Sequence, residues 1–192
     1  MDTKVLALIV IFAALSIALE PIRIPTFFWP GQYFRLWELP VIVAFFLFGF
    51  KVGFSVSVLN AVGYVAIFPD VSGILGPPWR IILMMSVFTG LILARKVKNF
   101  TNPQPEKRLK KPIVVYTIFG IVSRAAIMPF VDIGVYKFLL PLVIGRVIPD
   151  AYIFGLVPGI VLFNILVPLY TIPIAYGAAK TISKSMKIGN LL

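Results

Sequence analysis

Few side chains in this sequence can do chemistry, and those that interrupt apolar segments are the most informative. Arg124 lies 12 residues past Pro112, which is about 18 Å along a helix that rises 1.5 Å per residue. A charge at that depth in a membrane costs about 2.5–3.5 kcal/mol or more, so it predicts a functional site. Asp132 and Asp150 are the expected partners, and a purely structural ion pair is the alternative.

Two further segments carry polar side chains on one helical face. Gly53, Ser57, Asn60 and Tyr64 are spaced by four, three and four residues, which predicts a stripe facing the interior of a helix bundle. We expect Ser57 to bind neighbouring helices together and Tyr64 to line a cavity. Asn164, near Pro168, is the other deep polar residue and a candidate ligand contact.

The segment 20–38 concentrates aromatic residues beside hydrogen-bonding groups. Its candidate ligand residues are Trp29, Tyr33 and Trp37, with Arg23, Arg35, Gln32 and Glu38 nearby. Flat aromatic faces would suit a planar heteroaromatic ligand, whereas an aromatic belt at the lipid headgroups is the alternative. The length of the loop favours a ligand, because a plain connection is usually shorter.

A second outer candidate is the pair Trp79 and Arg80, predicted to open the fourth helix. An Arg at a helix N-terminus opposes the helix dipole. The sequence therefore favours a nearby anion from Asp70, lipid or ligand, or alternatively an Arg that extends to the headgroups.

The composition indicates that these segments lie in lipid and not in water. The chain of 192 residues is 60% hydrophobic with a mean hydropathy of +1.01, more apolar than a soluble domain of this size. It contains no Cys and no His, which excludes disulfides, thiol chemistry, Cys/His zinc sites and histidine bases. We therefore predict a membrane protein that binds or moves a molecule, with no enzymatic activity, cofactor or metal.

The apolar runs predict an all-α, six-helix transmembrane bundle in a single domain, residues 1–192. A span needs about 20 apolar residues. The segment from Gly134 to Val147 carries Lys137, Pro141 and Arg146 and is followed by Pro149, so we predict it to be interfacial or re-entrant. The predicted spans are 5–22, 38–50, 52–68, 80–96, 113–131 and 151–179, the last broken by Pro158, Pro168 and Pro173.

The net charge of +11 indicates how the chain is oriented in the membrane more than which partner it binds. Twelve of the 18 Lys and Arg residues fall on one predicted side, and five of the seven acids fall on the other. Because short cytoplasmic loops hold the excess of Lys and Arg, we expect both termini in the cytoplasm. The basic segment 97–112 is then a cytoplasmic linker, with contacts to anionic lipid, nucleic acid or a protein as alternatives.

Three stretches resemble the substrate-binding (S) subunits of energy-coupling factor (ECF) vitamin transporters. The segment Leu39–Gly53 is similar to that family's Leu-Pro…Gly-x-x-x-Gly pattern, and Val157–Asn164 to its Pro/Phe-Asn element. Ala14 and Ala18 form a small-x-x-x-small seam in the first helix, for which internal packing is the alternative.

The resemblance implies a function in the prokaryotic cell membrane. Such a subunit binds a vitamin near the outer face under the first outer loop, and it topples in the membrane to release its cargo. Its partners are lipid, a transmembrane coupling subunit and paired ATPases, without nucleic acid. Ala14 and Ala18 would dock the coupling subunit. The ligand candidates are Trp29, Tyr33, Trp37, Tyr64, Trp79, Arg80, Arg124 and Asn164.

Riboflavin is the first expectation for the vitamin, because the aromatic loop suits a flat tricyclic ring. Thiamine, pantothenate, folate, biotin and a modified-base precursor remain open, and an interior Arg favours a carboxylate such as pantothenate or folate. Two other classes compete with this function. One is a stand-alone carrier working as a dimer, and the other an intramembrane enzyme.

Overall fold

The protein is described by a computed structural model over residues 3–28, 32–67, 72–96 and 113–186. Six helices of 11 residues or more account for most of these residues and confirm the predicted six-helix membrane fold. The elements are α1 (Thr3–Ala18), β1 (Arg23–Pro25), β2 (Tyr33–Arg35), α2 (Glu38–Phe48), α3 (Phe50–Ile67), α4 (Ser72–Lys96), α5 (Ile113–Gly134), a π-helical turn (Val135–Leu139), α6 (Leu140–Ile144) and α7 (Asp150–Met186).

Four helices in the described ranges are long and apolar enough to cross a membrane. They cover Phe50–Ile67, Leu75–Lys96, Ile113–Ile144 and Asp150–Ser185. Helices α1 and α2 are apolar but shorter, at 16 and 11 residues. The protein is therefore a multi-pass membrane protein whose short second helix is carried inside the bundle.

The six helices α1 to α5 and α7 form a ring in which each packs on its neighbours. Following the contacts, the order is α1, α3, α4, α5, α7 and α2, and α2 closes the ring against α1. Every residue of α2 from Val41 to Leu47 is buried, because this helix also packs on α3. An apolar surface on all sides is expected for a helix with neighbours all around.

Two glycines permit a turn and a close helix contact that this ring needs. Gly49, between α2 and α3, has a φ of 93°, which L side chains rarely adopt. At the crossing of α4 and α5, a Cβ atom on Gly90 would lie only 2.3 Å from the carbonyl oxygen of Phe119. These helices can touch backbone to backbone only because glycine has no side chain.

Three predicted boundaries differ from the structure. Helix α4 begins at Ser72 instead of residue 80, since Pro77 and Pro78 lie within its first two turns, where few backbone hydrogen bonds are lost. The segment from Gly134 to Val147 continues α5 as helix to Ile144, and its interfacial or re-entrant position stays a prediction. Helix α7 is not broken at its three prolines, because neighbouring helices tolerate such residues in membrane spans.

Candidate functional site

Segment 20–38, predicted as an aromatic loop, contains a small β-hairpin that lies over one end of the bundle. Strands β1 and β2 pair antiparallel with Arg23 opposite Arg35. The ring of Phe34 stacks on Phe163 of α7 at 5.6 Å, with only 4° between the planes. The hydroxyl of Tyr170 donates to the carbonyl oxygen of Arg35 at 2.9 Å. The hairpin is thus braced on α7, and we call it the hairpin lid.

Two adjoining cavities lie beneath the hairpin lid. The larger has a volume of about 300 Å³ and the smaller about 180 Å³. They share Gln32, Gly76, Trp79 and Phe163 as lining residues. Their combined size falls in the range of small-molecule sites, and we call the pair the chamber.

The two compartments differ in chemistry. The larger is mostly apolar, with walls from Leu75, Val135, Leu140 and Phe163. Its polar residues include Asp132, Asn164 and Tyr136. The smaller compartment is lined by charged and aromatic residues, namely Tyr33, Arg35, Trp37, Glu38, Tyr64, Trp79, Arg80 and Arg124.

Arg124 is fully buried and pairs with a carboxylate that the sequence did not predict. Its Nη1 lies 2.6 Å from Oε2 of Glu38, and its Nε donates to Oδ1 of Asn164 at 2.9 Å. The predicted partners Asp132 and Asp150 were wrong. Asp132 is eight residues further along the same helix, which is about 12 Å, and Asp150 pairs instead with Lys137 at 3.0 Å.

Asp132 is the polar centre of the larger compartment. Its Oδ1 accepts a hydrogen bond of 2.7 Å from Nε1 of Trp79. Its Oδ2 lies 3.4 Å from Nδ2 of Asn164, which also donates to the carbonyl oxygen of Ile160. Asp132 is 7% exposed. The two side chains that donate to its carboxylate, Trp79 and Asn164, are neutral.

Arg80 is the polar centre of the smaller compartment. It is 2% exposed, and its Nη2 lies 2.6 Å from Oε1 of Glu20. The guanidinium lies over the rings of Tyr64 and Trp37, at 3.7 and 4.5 Å from their centroids. The nearby anion that the sequence favoured is therefore Glu20. The alternative, an Arg80 that extends to the headgroups, was wrong, because α4 begins two turns earlier than predicted and Arg80 is buried inside the bundle.

Glu20 joins the hairpin lid to the bundle. The same Oε1 atom that binds Arg80 also lies 2.6 Å from Nη1 of Arg35 in β2. Glu20 is 1% exposed, so two guanidiniums share one buried carboxylate. Among the described residues, three arginines (Arg35, Arg80 and Arg124) and three acids (Glu20, Glu38 and Asp132) lie in or beside the chamber, so their formal charges sum to zero.

The structure brings together most of the predicted ligand residues. Trp29 and Asp70 lie outside the described residues. Tyr33, Trp37, Tyr64, Trp79, Arg80 and Arg124 line the smaller compartment, and Trp79 and Asn164 line the larger. The polar stripe on α3 is buried as expected, but Ser57 Oγ has no hydrogen-bond partner among the described residues, so it does not bind helices together.

Sequence reasoning missed several residues of the chamber. Asp132 was expected only as a partner of Arg124, and Glu38 only as a polar neighbour of the aromatic residues, although both fall inside or beside apolar runs and line the chamber. Phe163 could have been found as the neighbour of Asn164. Tyr136 and Leu140 had no signal, because the π-helical turn Val135–Leu139, which contains Tyr136 and ends just before Leu140, changes which side chains face inward.

The seam on α1 faces outward. Ala14 and Ala18 are both exposed, whereas Ala13 before them and Ser16 between them are buried. Internal packing among the described residues therefore does not use the seam. A small-residue surface of this kind lets another helix approach closely.

Comparison with known proteins places the chain in a family. None of the curated proteins compared with it matches. Among solved structures, the S component of a bacterial ECF transporter matches with a TM-score of 0.67 at 20% identity, covering 97% of this chain and 99% of that one. A family model for the ECF-type riboflavin transporter S component matches residues 1–171. The chain therefore belongs to the family of ECF-type riboflavin transporter S components, which are membrane-embedded transport components and not enzymes.

Proposed function

We propose that this protein binds riboflavin in the chamber and delivers it for import. The observation that carries the proposal is the division of the chamber into an apolar and a polar compartment. Riboflavin has the same division, with a flat tricyclic ring at one end and a chain of hydroxyl groups at the other. The ring would occupy the larger compartment against Trp79 and Phe163, and the hydroxyl chain the smaller one.

Hydrogen bonding supports this orientation. The ring of riboflavin carries an imide N–H between two carbonyl groups, and Asp132 offers a buried carboxylate to accept from it. At the other end, Arg124 Nη2 has no hydrogen-bond partner among the described residues, which leaves a donor for a ligand hydroxyl. A site with such polar groups rejects ligands that leave them unpaired.

Charge balance favours an uncharged vitamin over a carboxylate. Arg124 alone favoured pantothenate or folate, but Glu38 already neutralises it. The larger compartment already holds the Asp132 carboxylate, and its described lining residues include no Lys or Arg, so a ligand carboxylate placed there would be a second buried negative charge without a partner, which is costly. Riboflavin is uncharged at neutral pH and adds none.

We further propose that the whole chain acts as one transmembrane domain with the chamber toward the outside and both termini in the cytoplasm. The distribution of Lys and Arg supports this orientation. Since the sequence has no Cys, Lys107→Cys provides a unique label site in the basic linker. A membrane-impermeant thiol reagent should modify it in inverted vesicles and not in intact cells; the reverse pattern would overturn the orientation.

The partners follow from the same proposal. A transmembrane coupling subunit would dock on the exposed seam of Ala14 and Ala18, and its ATPases would supply the energy for release. The alternative of a stand-alone carrier is separated by reconstitution. Vesicles that contain this chain alone should bind riboflavin without accumulating it, and accumulation without an ATPase would identify a carrier.

Binding itself is tested with purified protein and the fluorescence of the flavin. Stacking on Trp79 should quench the emission of riboflavin during titration. Thiamine, biotin, pantothenate and folate, added in excess, should not displace it. Displacement by one of these at lower concentration than riboflavin, or absence of quenching and of co-purified flavin, contradicts the proposal.

A further inference from the structure

A series of buried hydrogen bonds connects α1 with the smaller compartment. The hydroxyl of Ser16 donates to the carbonyl oxygen of Trp37 at 2.5 Å. Asn60 Nδ2 donates to Ser16 Oγ at 3.0 Å, and Asn60 Oδ1 accepts from Arg80 Nη1 at 3.0 Å. We call Ser16, Asn60 and Arg80 the relay.

The relay is isolated from solvent along its whole length. Ser16 and Asn60 are both 0% exposed, and Arg80 is 2% exposed. A buried polar group that loses its partner cannot replace it with water and is left unsatisfied at a high cost. A displacement at one end of the relay is therefore expected to move the other end with it.

The two ends of the relay face different parts of the molecule. At one end, Arg80 lies over Trp37 and Tyr64, and all three line the smaller compartment. At the other end, Ser16 is two residues from both Ala14 and Ala18, which is about 200° around a helix of 3.6 residues per turn. Ser16 is thus on the inner face of α1, opposite the exposed seam.

We propose that Ser16 and Asn60 are positioning residues that set the placement of α1 according to whether the smaller compartment is occupied. This inference rests on the proposed function, because it takes the hydroxyl chain of riboflavin as the occupant. Ser16 is held by the carbonyl oxygen of Trp37 and by Asn60. A ligand hydroxyl that hydrogen-bonds near Arg80 changes the bond between Arg80 and Asn60, and one that displaces the Trp37 ring changes the position of Trp37. The seam on the far side of α1 then moves in response to the ligand.

Thermodynamic linkage makes the effect reciprocal. If bound riboflavin changes the placement of α1, it changes the affinity of α1 for any partner that favours one placement. By linkage, that partner changes the affinity for riboflavin by the same factor. Ser16 and Asn60 are not among the residues that line either compartment, so their proposed role differs from that of the residues that would contact the vitamin. A variant that lacks them should bind riboflavin yet fail to report it at α1.

The test measures the position of α1 directly. Val10 on α1 and Val122 on α5 are exposed, and the sequence has no Cys, so spin labels at Val10→Cys and Val122→Cys are specific. The full-length labelled protein in lipid nanodiscs is compared with and without riboflavin. We expect the distance distribution to shift on binding, and riboflavin fluorescence in the same samples reports occupancy.

The informative variant is Ser16→Ala, and the matched control is Ser57→Ala. Ser57 is also buried, but its hydroxyl has no hydrogen-bond partner in the described part of the chain. Ser16→Ala should abolish the shift while riboflavin affinity stays within about tenfold, the effect of roughly one hydrogen bond. Ser57→Ala should retain the shift.

Two outcomes overturn the relay while leaving riboflavin binding intact. One is a wild-type protein that binds riboflavin without any change in distance. The other is an equal shift in Ser16→Ala, which would show that the change travels elsewhere. If Ser16→Ala does not fold, Asn60→Leu removes the same link while Arg80 keeps its ion pair with Glu20, and it is expected to abolish the shift as well. Absence of riboflavin binding in the wild type would overturn both proposals.

Discussion

Arg124 and Glu38, 86 residues apart in the sequence, form an ion pair of 2.6 Å in the interior of the bundle. Their side chains are 0% and 5% exposed. The pair fixes the start of α2 against the middle of α5, and it lies directly beside the smaller compartment. A buried pair of this kind can serve the fold, the ligand or both, and the two roles are separable.

Replacing one partner of this pair should destabilise the protein more than replacing both. Arg124→Leu leaves Glu38 as an uncompensated buried charge, at an expected cost of about 3–5 kcal/mol. Arg124→Leu combined with Glu38→Leu should recover most of the thermal stability, because apolar pairs often replace buried ion pairs. Melting temperature in detergent measures this.

Measuring riboflavin binding by the same double variant tests whether the ion pair also contributes to ligand binding. We expect recovered stability with weakened binding, because Arg124 no longer offers a donor. Wild-type affinity in a stable double variant would mean that the pair serves the fold alone.

Asp132 should read the imide N–H of riboflavin. N3-methylriboflavin lacks this donor, so wild-type protein should bind it about ten- to a hundredfold more weakly, the value of a hydrogen bond to a charged acceptor. Asp132→Ala should lose this preference, as measured by competition titration. Asp150→Ala, which removes an exposed acid, is the control and should keep it; a preference that survives Asp132→Ala would place the imide elsewhere.

Arg35 should hold the hairpin lid closed over bound ligand. Arg35→Gln removes one of the two guanidiniums on Glu20, and because the Arg35 side chain is 29% exposed, solvent screens part of the effect. We expect the dissociation rate of riboflavin to rise about three- to tenfold, as measured by stopped-flow fluorescence. Arg23→Gln on the paired strand is the control, and an equal rise there would indicate a general loss of lid charge.

The seam on α1 should be needed for transport and not for binding. Ala14→Trp with Ala18→Trp fills the small-residue surface and should prevent a partner helix from approaching. Riboflavin affinity of the purified chain should stay unchanged, whereas uptake with the coupling subunit and ATPases should be lost. Val122→Trp, also at an exposed position, should transport normally; loss of binding in the seam variant would mean that Ala14 and Ala18 pack internally.

Sequence patterns were sufficient for the helices and for many of the residues that line the chamber. Apolar runs place the spans because lipid tolerates little else, and Arg124 and Asn164 stood out because polar groups there are rare. The stripe on α3 was identified by spacing alone, since one helical face follows a fixed period. These features depend on local sequence only.

Pairings between distant segments could not be predicted in the same way. Glu38 reaches Arg124, and Glu20 reaches Arg80, only because α2 lies inside the ring and α4 begins at Ser72. Both depend on how helices pack, which a single sequence does not encode in any local period. The π-helical turn after α5 has no sequence signal either, so Tyr136 was not recognised as part of the chamber.

The balance of three arginines and three carboxylates in the chamber bears on the toppling motion that the family resemblance implies. A helix bundle that rotates in a bilayer carries its interior groups through regions of different polarity. An uncompensated charge would resist this by about 2.5–3.5 kcal/mol or more at mid-depth. Here Arg124 has its own carboxylate at 2.6 Å, and Arg35 and Arg80 share Glu20 at the same distance. With Asp132, the formal charges of the described chamber residues sum to zero, so such a motion would carry no net charge from these groups through the hydrocarbon layer.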